Sequence, residues 1–186
     1  MSNAAASPVG ATSGDEPPLT ASTIVAHAVG SHILRIDGYS CTKGLSKGKF
    51  ISSGTFSVRG HRWCLQYYPN GAGSYYSDWI SLFLRLDHTT ADERGKLRAQ
   101  TKQALGVLDQ EGNPVPSYSR DVDTCTFSVR KGGNAVWGYD CLIRRADLER
   151  SAYLKKDVFS VRCDVTVATN QFVTKDIPVP AVRRGV

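Results

Sequence analysis

The chain has no long apolar run and none of the common catalytic motifs. No segment approaches the roughly 20 apolar residues of a membrane helix, and the first residues lack the basic start and apolar centre of a secretory signal. No GxGxxG, GxxxxGKS/T, HExxH or GxSxG pattern is present. These absences argue against a membrane protein, a nucleotide-binding fold and the common hydrolases. Nothing in the sequence predicts an enzyme.

Cysteine and histidine are too scattered to predict a metal site. The five cysteines are odd in number, and no two of them form a CxxC pair. The four histidines occur singly, without an i, i+4 partner. We therefore expect no metal, no cofactor and no disulfide framework. Unpaired thiols without a secretory signal predict a reducing compartment, which is the nucleus or the cytoplasm.

The positive charge is spread along the chain. The formal net charge is +6, and the densest basic group is Arg183-Arg184 near the carboxyl terminus. A nucleic-acid surface needs a basic stripe with aromatic stacking positions. The pattern instead favours a solvated basic surface, and a nucleic-acid-binding sandwich remains a lesser alternative whose affinity would fall steeply with salt.

Composition predicts one folded domain with two tails. The chain has 186 residues, of which 41% are hydrophobic, and this suits a single domain with a core. Residues 1–20 are small, polar and rich in proline and glycine, so we expect a disordered tail there. The domain is predicted to span residues 21–168. The proline-punctuated residues 169–186 are predicted to be a linker or tail.

Alternation of apolar and polar residues dominates the folded part. Odd-numbered positions of Phe159–Val167 are apolar, as are the even-numbered positions Ile80 to Leu86, and this is typical of strands with one buried face. The best helical segment is Arg144–Ser151. Shorter strand candidates are Ile24–Ala28, Ser31–Ile36, Lys49–Ser52, Thr55–Val58, Trp63–Tyr68, Leu97–Leu108 and Thr124–Val129. About eight short strands separated by turns predict a sandwich or a barrel.

Three aromatic residues lie at positions that suit either a surface for binding partners or a position covered by the rest of the fold. Alternation places Phe83 on the polar face of its strand, where an exposed aromatic marks an interaction site unless a neighbouring segment covers it. Trp137 and Tyr139, on either side of a glycine, suit either a recognition surface or a core clamp. Trp63, in contrast, shares the apolar positions of its strand and is predicted to be a core residue.

The order of these segments resembles a MATH (meprin and TRAF homology) domain, and it is most similar to the plant branch of MATH–BTB proteins. The likeness covers about residues 22–168. The motifs that carry it are Ser53-Gly54-Thr55-Phe56, His61-Arg62-Trp63-Cys64-Leu65, Asp78-Trp79-Ile80-Ser81-Leu82-Phe83-Leu84, Trp137-Gly138-Tyr139 with Ile143-Arg144-Arg145, and Phe159–Val167.

The resemblance implies an all-β fold, an eight-stranded antiparallel β-sandwich with one short helix, and a shallow groove for short extended peptide segments of target proteins. The groove residues carried over are Phe83, Phe127, Trp137, Gly138 and Tyr139.

Two departures put the family's preference for Ser/Thr-rich peptides in doubt. A further groove aromatic of the family's animal adaptor corresponds here to Thr101 or Gln103. A Lys-Asp pair before the Trp corresponds to Ala135-Val136.

The resemblance also implies a role in ubiquitination. In MATH–BTB proteins a BTB domain follows, dimerises and docks on a cullin, so the captured protein becomes ubiquitinated. The 186 residues of this chain include no BTB sequence. The chain is therefore predicted to recognise targets for cullin-dependent ubiquitination, with cullin reached only through such a BTB domain. The alternative is a stand-alone scaffold or decoy that binds partners without recruiting a ligase.

Overall fold

The structure is a computed structural model, and it describes residues 21–87, 97–129 and 136–177. These residues form nine strands, two short helices and a 3-10 turn at Ser74–Tyr76. In chain order the elements are β1 (Ala21–Asp37), α1 (Tyr39–Thr42), β2 (Ile51–Ser52), β3 (Phe56–Val58), β4 (His61–Tyr68), β5 (Trp79–Leu86), β6 (Leu97–Leu108), β7 (Pro114–Val129), β8 (Val136–Arg144), α2 (Arg145–Arg150) and β9 (Val158–Ile177).

The strands form two antiparallel sheets, which confirms the predicted β-sandwich. One sheet has the order β1-β9-β6-β7, and the other has the order β2-β4-β5-β8, with β3 also paired to β4. Residues 26–171 form one compact unit that contains the core. The described residues 21–25 and 172–177 belong to a second unit and are the amino-terminal end of β1 and the carboxyl-terminal end of β9.

The core lies between the inner faces of the two sheets. In β4 the side chains of Trp63, Leu65 and Tyr67 are at most 1% exposed, as the alternation predicts. They pair in register with Leu86, Leu84 and Leu82 of β5, all of which are fully buried. Each such side chain contributes about 1.5–3 kcal/mol of hydrophobic stabilisation. The prediction that Trp63 is a core residue is confirmed.

The first helix closes one end of this core. Tyr39 in α1 is 2% exposed, and its ring meets Phe159 of β9 edge to face at 5.7 Å between centroids. The Tyr39 hydroxyl donates to Glu149 of α2 at 3.0 Å, and Lys43 Nζ donates to the same carboxylate oxygen at 3.0 Å. Burial, followed by the bond to Glu149, raises the pKa of Tyr39, so the phenol stays a protonated donor.

The structure differs from the sequence-based pattern in the bounds and the number of its elements. The two candidates at the amino-terminal side form the single strand β1, and β7 begins at Pro114, well before Thr124. β8 and α1 were not predicted. The strand count is nine rather than the eight that the resemblance implies; β2 and β3, of two and three residues, lie within the separate candidates Lys49–Ser52 and Thr55–Val58. The predicted helix is present as α2.

The linker predicted from residue 169 also needs correction. Residues 169–177 extend β9 instead, so the strand continues past the point at which the alternation of apolar and polar residues ends. Residues 1–20 and 178–186, for which tails were predicted, lie outside the described residues. Within the described part of the chain, no helix has the length and apolar character needed to cross a membrane.

Candidate functional site

The outermost strands β7 and β8 meet on one side of the sandwich. β7 ends the four-stranded sheet, β8 ends the other sheet, and side chains of β8 bond to carbonyls of β7. β8 pairs with β5, and no further strand among residues 21–87, 97–129 and 136–177 pairs with its other side. An unpaired strand edge presents main-chain donors and acceptors to an incoming chain.

Two aromatic side chains of β8 bridge the gap to β7. Trp137 is 47% exposed, and its Nε1 donates to the carbonyl of Thr126 at 3.3 Å. Tyr139 is half-buried, and its hydroxyl donates to the carbonyl of Asp121 at 3.2 Å. Burial, and then the charge of Asp121, raises the pKa of Tyr139, so its hydroxyl remains a donor. We call Trp137 and Tyr139 the aromatic bridges.

Register places the aromatic bridges on the inner face of their sheet. Tyr139 pairs with Leu82 and Trp137 pairs with Leu84, and both leucines are fully buried. Paired residues of an antiparallel ladder share a face. The bridges therefore extend from the edge of the five-stranded sheet toward the opposite sheet, with an apolar body inside and a polar tip at the rim.

Phe83 and Gly138 lie on the other, outer face of the same edge. They pair with each other across β5 and β8. A Cβ atom on Gly138 would lie 2.2 Å from the carbonyl oxygen of Leu82 and 2.5 Å from the Cα of Phe83, so only glycine permits this close approach. Since Gly138 has no side chain, nothing on β8 at this position stands between the Phe83 ring and the free edge.

Phe83 continues into a row of aromatic rings on the outer face. It packs edge to face on Tyr68 of β4 at 5.4 Å between centroids, and Tyr68 in turn contacts Phe50 at 5.2 Å. Phe50 is 41% exposed, and Phe83 is half-buried. Burial is the main cause that raises the pKa of Tyr68. The positive charge of Arg85 lowers this pKa to a smaller extent, and the negative charge of Asp140 raises it. The outer aromatic row of Phe50, Tyr68 and Phe83 thus lies close to one cationic and one anionic group.

Phe127 does not belong to this site, which corrects the sequence-based assignment. Its side chain is 0% exposed and packs edge to face on Trp63 at 4.9 Å between centroids. Cys125, two residues earlier on the same face of β7, is 3% exposed. The alternation of Cys125 and Phe127 with Thr126 is the pattern of a buried face, and it is the signal that points to the core.

The structure thus divides the other four groove candidates between two faces of one edge. Phe83 and Gly138 are outside, Trp137 and Tyr139 inside, and all four belong to β8 or to its neighbour β5. Sequence reasoning missed Phe50 and Tyr68, although the even position of Tyr68 within β4 puts it on the same outer face as Phe83. The contacts of the Tyr68 ring with Phe50 and Phe83 could not be predicted, because they depend on which strands are neighbours in the sheet.

Thr101 and Gln103, the positions where a family aromatic is missing, are both buried. They face inward on β6, with exposures of 1% and 3%. The Thr101 hydroxyl lies 3.1 Å from the Sγ of Cys125. Neither atom of the Gln103 carboxamide has a hydrogen-bond partner in the described parts of the chain.

The described residues contain no cluster of three or more His, Cys, Asp or Glu side chains that could hold a metal ion. All five cysteines are free thiols. Burial raises the pKa of Cys64, Cys125 and Cys163, which keeps these thiols protonated and poorly nucleophilic.

The outer face of the four-stranded sheet is a second concave surface. A hollow of about 420 Å³ lies over the small residues Ala104 and Gly106, with Asp121, Arg162 and Asp164 around it. Arg162 Nε donates to both carboxylate oxygens of Asp164, at 2.9 and 3.0 Å. Positive charge here is paired with negative charge, so this face does not form the basic stripe that nucleic acid requires.

Comparisons with known proteins agree with this architecture. A protein-family model described as MATH domain matches residues 31–165. BTB/POZ and MATH domain-containing protein 4 of Arabidopsis thaliana is 34% identical over 161 residues, which is 83% of this chain and 33% of that protein. Protein 3 of the same series is 35% identical over 156 residues, or 81% of this chain and 36% of that protein.

A solved structure, TRAF5 of Notothenia coriiceps, matches with a TM-score of 0.50 and 20% identity over 83% of this chain and 77% of that one, which supports the fold. The chain spans about a third of the length of the Arabidopsis relatives. A MATH domain is a protein-interaction fold and not a catalytic one, so the match supports an interaction module and agrees with the prediction that the chain is no enzyme.

Proposed function

The chain belongs to the MATH domain family, and we propose that it binds short extended peptide segments of partner proteins along the free edge of β8. The observation that carries this proposal is the unpaired β8 edge, which has Phe83 on one face and Trp137 on the other.

Strand addition explains why both faces matter. Main-chain hydrogen bonds to β8 would supply affinity that does not depend on the peptide sequence. Successive side chains of an added strand point to opposite faces. One set would therefore reach past Gly138 to Phe83, and the other set would contact Trp137 and Tyr139. Gly138 supports this arrangement because it leaves the path to the Phe83 ring open.

The finer role that we propose is recognition of targets for cullin-dependent ubiquitination. The Arabidopsis relatives are named for a BTB/POZ as well as a MATH domain. A BTB domain joined to this chain would carry the bound target to a cullin ligase. We also propose action in the nucleus or cytoplasm, where unpaired cysteines stay reduced. Co-purification of a cullin with the natural protein is the expected result, and its absence would favour a scaffold or decoy that recruits no ligase.

Peptide selection followed by substitution tests the binding edge. The chain is used to select from a library of random peptides, and affinities of the selected peptides are measured for the wild type, Phe83→Ala and Trp137→Ala. We expect each substitution to weaken binding by at least about 1 kcal/mol, or roughly fivefold, because partly exposed aromatics act as interface anchors.

Tyr75→Ala is the matched control. Tyr75 is an aromatic residue that is 97% exposed and lies in the 3-10 turn, outside the β8 edge. Its removal should leave the affinity unchanged. If Tyr75→Ala weakens binding as much as Phe83→Ala and Trp137→Ala do, or if neither of those two has an effect, the site is not at β8.

A further inference from the structure

One cationic side chain next to the β8 edge has no anionic partner in the described parts of the chain. Arg85 of β5 is half-buried, and it takes part in none of the ion pairs that the described residues form. Arg62 of the neighbouring strand β4, in contrast, pairs with Asp87, with 3.5 Å between Nε and Oδ2. A partly buried charge without a counter-ion is unfavourable, so Arg85 offers a site for an anion that a partner brings.

Register places Arg85 beside Phe83 on the outer face of the five-stranded sheet. The two residues are two positions apart on β5, so their side chains point to the same face. Their partners on β8 are Val136 and Gly138. Both side chains therefore lie one strand away from the free edge, at the end of the outer aromatic row that is closest to β8.

A carboxylate lies on the other side of Gly138. Asp140 is half-buried, and its carbonyl accepts a hydrogen bond from the hydroxyl of Ser81 on β5. Burial is the main cause of the raised pKa of Tyr68, and the smaller, opposite effects of Arg85 and Asp140 on this pKa show that both charges are near the Tyr68 hydroxyl. The outer face thus has a positive charge toward Val136 and a negative charge toward Asp140.

A peptide strand paired with β8 would meet these groups in a fixed order. Its outer-face residues are two positions apart, so one faces Gly138 and the Phe83 ring, and the next faces Val136, with Arg85 behind it. Neighbouring strands are about 4.8 Å apart, which puts that second peptide residue about 10 Å from the backbone of Arg85. The long, flexible side chain of Arg85 can extend over Val136 to meet a carboxylate that reaches back from the peptide.

We propose that Arg85 determines specificity by pairing with a carboxylate, Asp or Glu, of the bound peptide, two positions from the apolar residue that packs on Phe83. This inference rests on the proposed function, because it requires a peptide along β8. The planar guanidinium matches the two oxygens of a carboxylate. On the other side of the apolar residue, Asp140 repels a carboxylate, so the acidic preference is confined to one side.

Peptide selection by the full chain tests this inference when it is repeated with Arg85→Gln and with Arg35→Gln. We expect wild-type peptides to share an apolar residue with Asp or Glu two positions away, on one side only. Arg85→Gln should keep the apolar preference and lose the acidic one. Arg35→Gln is the matched control, because it removes the same charge from β1, the edge strand of the other sheet, where the Arg35 side chain is 64% exposed.

Affinity measurements separate a direct pair from a general effect of charge. A selected peptide is compared with a variant in which the acidic residue is replaced by its amide. The wild type should bind the amide peptide about fivefold more weakly, and added salt should reduce this difference. Arg85→Gln should bind the two peptides equally, because the coupling is lost with its partner. The amide peptide tests the pair on the unaltered chain even if Arg85→Gln does not fold.

The outcomes distinguish the inference from the function on which it rests. The inference is wrong, while peptide binding stands, if selected peptides lack the acidic residue or have one on both sides of the apolar position. It is also wrong if the acidic preference survives in Arg85→Gln or is lost equally in Arg35→Gln. If the wild type selects no peptide, or if Phe83→Ala and Trp137→Ala bind the selected peptides as the wild type does, the proposed function fails, and this inference fails with it.

Discussion

Replacing Phe127 with alanine should damage the fold and not the binding edge. The side chain is 0% exposed, and it packs edge to face on the equally buried Trp63 at 4.9 Å. Truncation of a buried phenylalanine costs about 3–5 kcal/mol, because it combines lost burial with a cavity. A small protein is stable by only about 5–15 kcal/mol, so the remaining margin is narrow. At about 2–4 °C per kcal/mol for a chain of this size, the midpoint of thermal unfolding should fall by roughly 6–20 °C.

Urea unfolding followed by circular dichroism measures this loss, with Phe83→Ala as the comparison. Phe83 is only half-buried, and we expect its removal to lower stability by about 1 kcal/mol. Phe127→Leu, which keeps most of the volume, should cost less than Phe127→Ala. A Phe127→Ala variant that is as stable as the wild type but binds selected peptides poorly would refute this reasoning and return Phe127 to the binding surface.

Two further substitutions test the edge and the helix contacts. Gly138→Ala should destabilise the fold by about 1–3 kcal/mol, because the new Cβ would lie 2.2 Å from the carbonyl oxygen of Leu82. Gly54→Ala is the control, since a Cβ there would meet nothing within 4 Å, and thermal unfolding should show a change of at most about 0.5 kcal/mol. The bond from Lys43 is the main cause that lowers the pKa of Glu149. A lowered carboxyl pKa stabilises the fold above the ordinary value of 4.5, and that stability is lost as the pH falls through the folded pKa. Glu149→Gln should therefore flatten the acid side of the curve of melting temperature against pH, and an unchanged curve would argue against the contact.

Alternation of apolar and polar residues was sufficient to predict the strands that have one solvent-exposed face and one buried face. β5 and the first part of β9 have leucine, valine or other apolar residues at every second position, and these side chains are buried in the structure. Trp63 was placed in the core by the same argument. The physical reason is that the side-chain period of a strand is two, so one face can be read directly from the sequence.

β8 escaped prediction because it is an edge strand with an irregular pattern. Val136 to Cys141 are mostly half-buried on both faces, and Gly138 interrupts the alternation. Its conformation depends on pairing with β5, which lies more than 50 residues earlier in the chain. Non-local pairing of this kind leaves little trace in local sequence.

The candidate site could be predicted in part for the same reason. Alternation placed Phe83 on an outer face, as the structure has it, and the Trp137-Gly138-Tyr139 motif drew attention to the strand along which we propose that peptides bind. The division of these residues between two faces depended on the register of Gly138 with Phe83. The unpaired amide of Gln103 required the whole core, because only the surrounding side chains show that it has no partner among the described residues.

The most direct test of the account is amide hydrogen exchange in the presence of a selected peptide. Strand addition predicts that amides of Val136–Asp140 in β8 exchange more slowly when the peptide is bound, since edge groups that faced solvent become hydrogen-bonded. The amides at the exposed turn around Tyr75 should not change. Protection that appears on another edge strand, such as β1, with none at β8, would contradict the assignment of the binding edge.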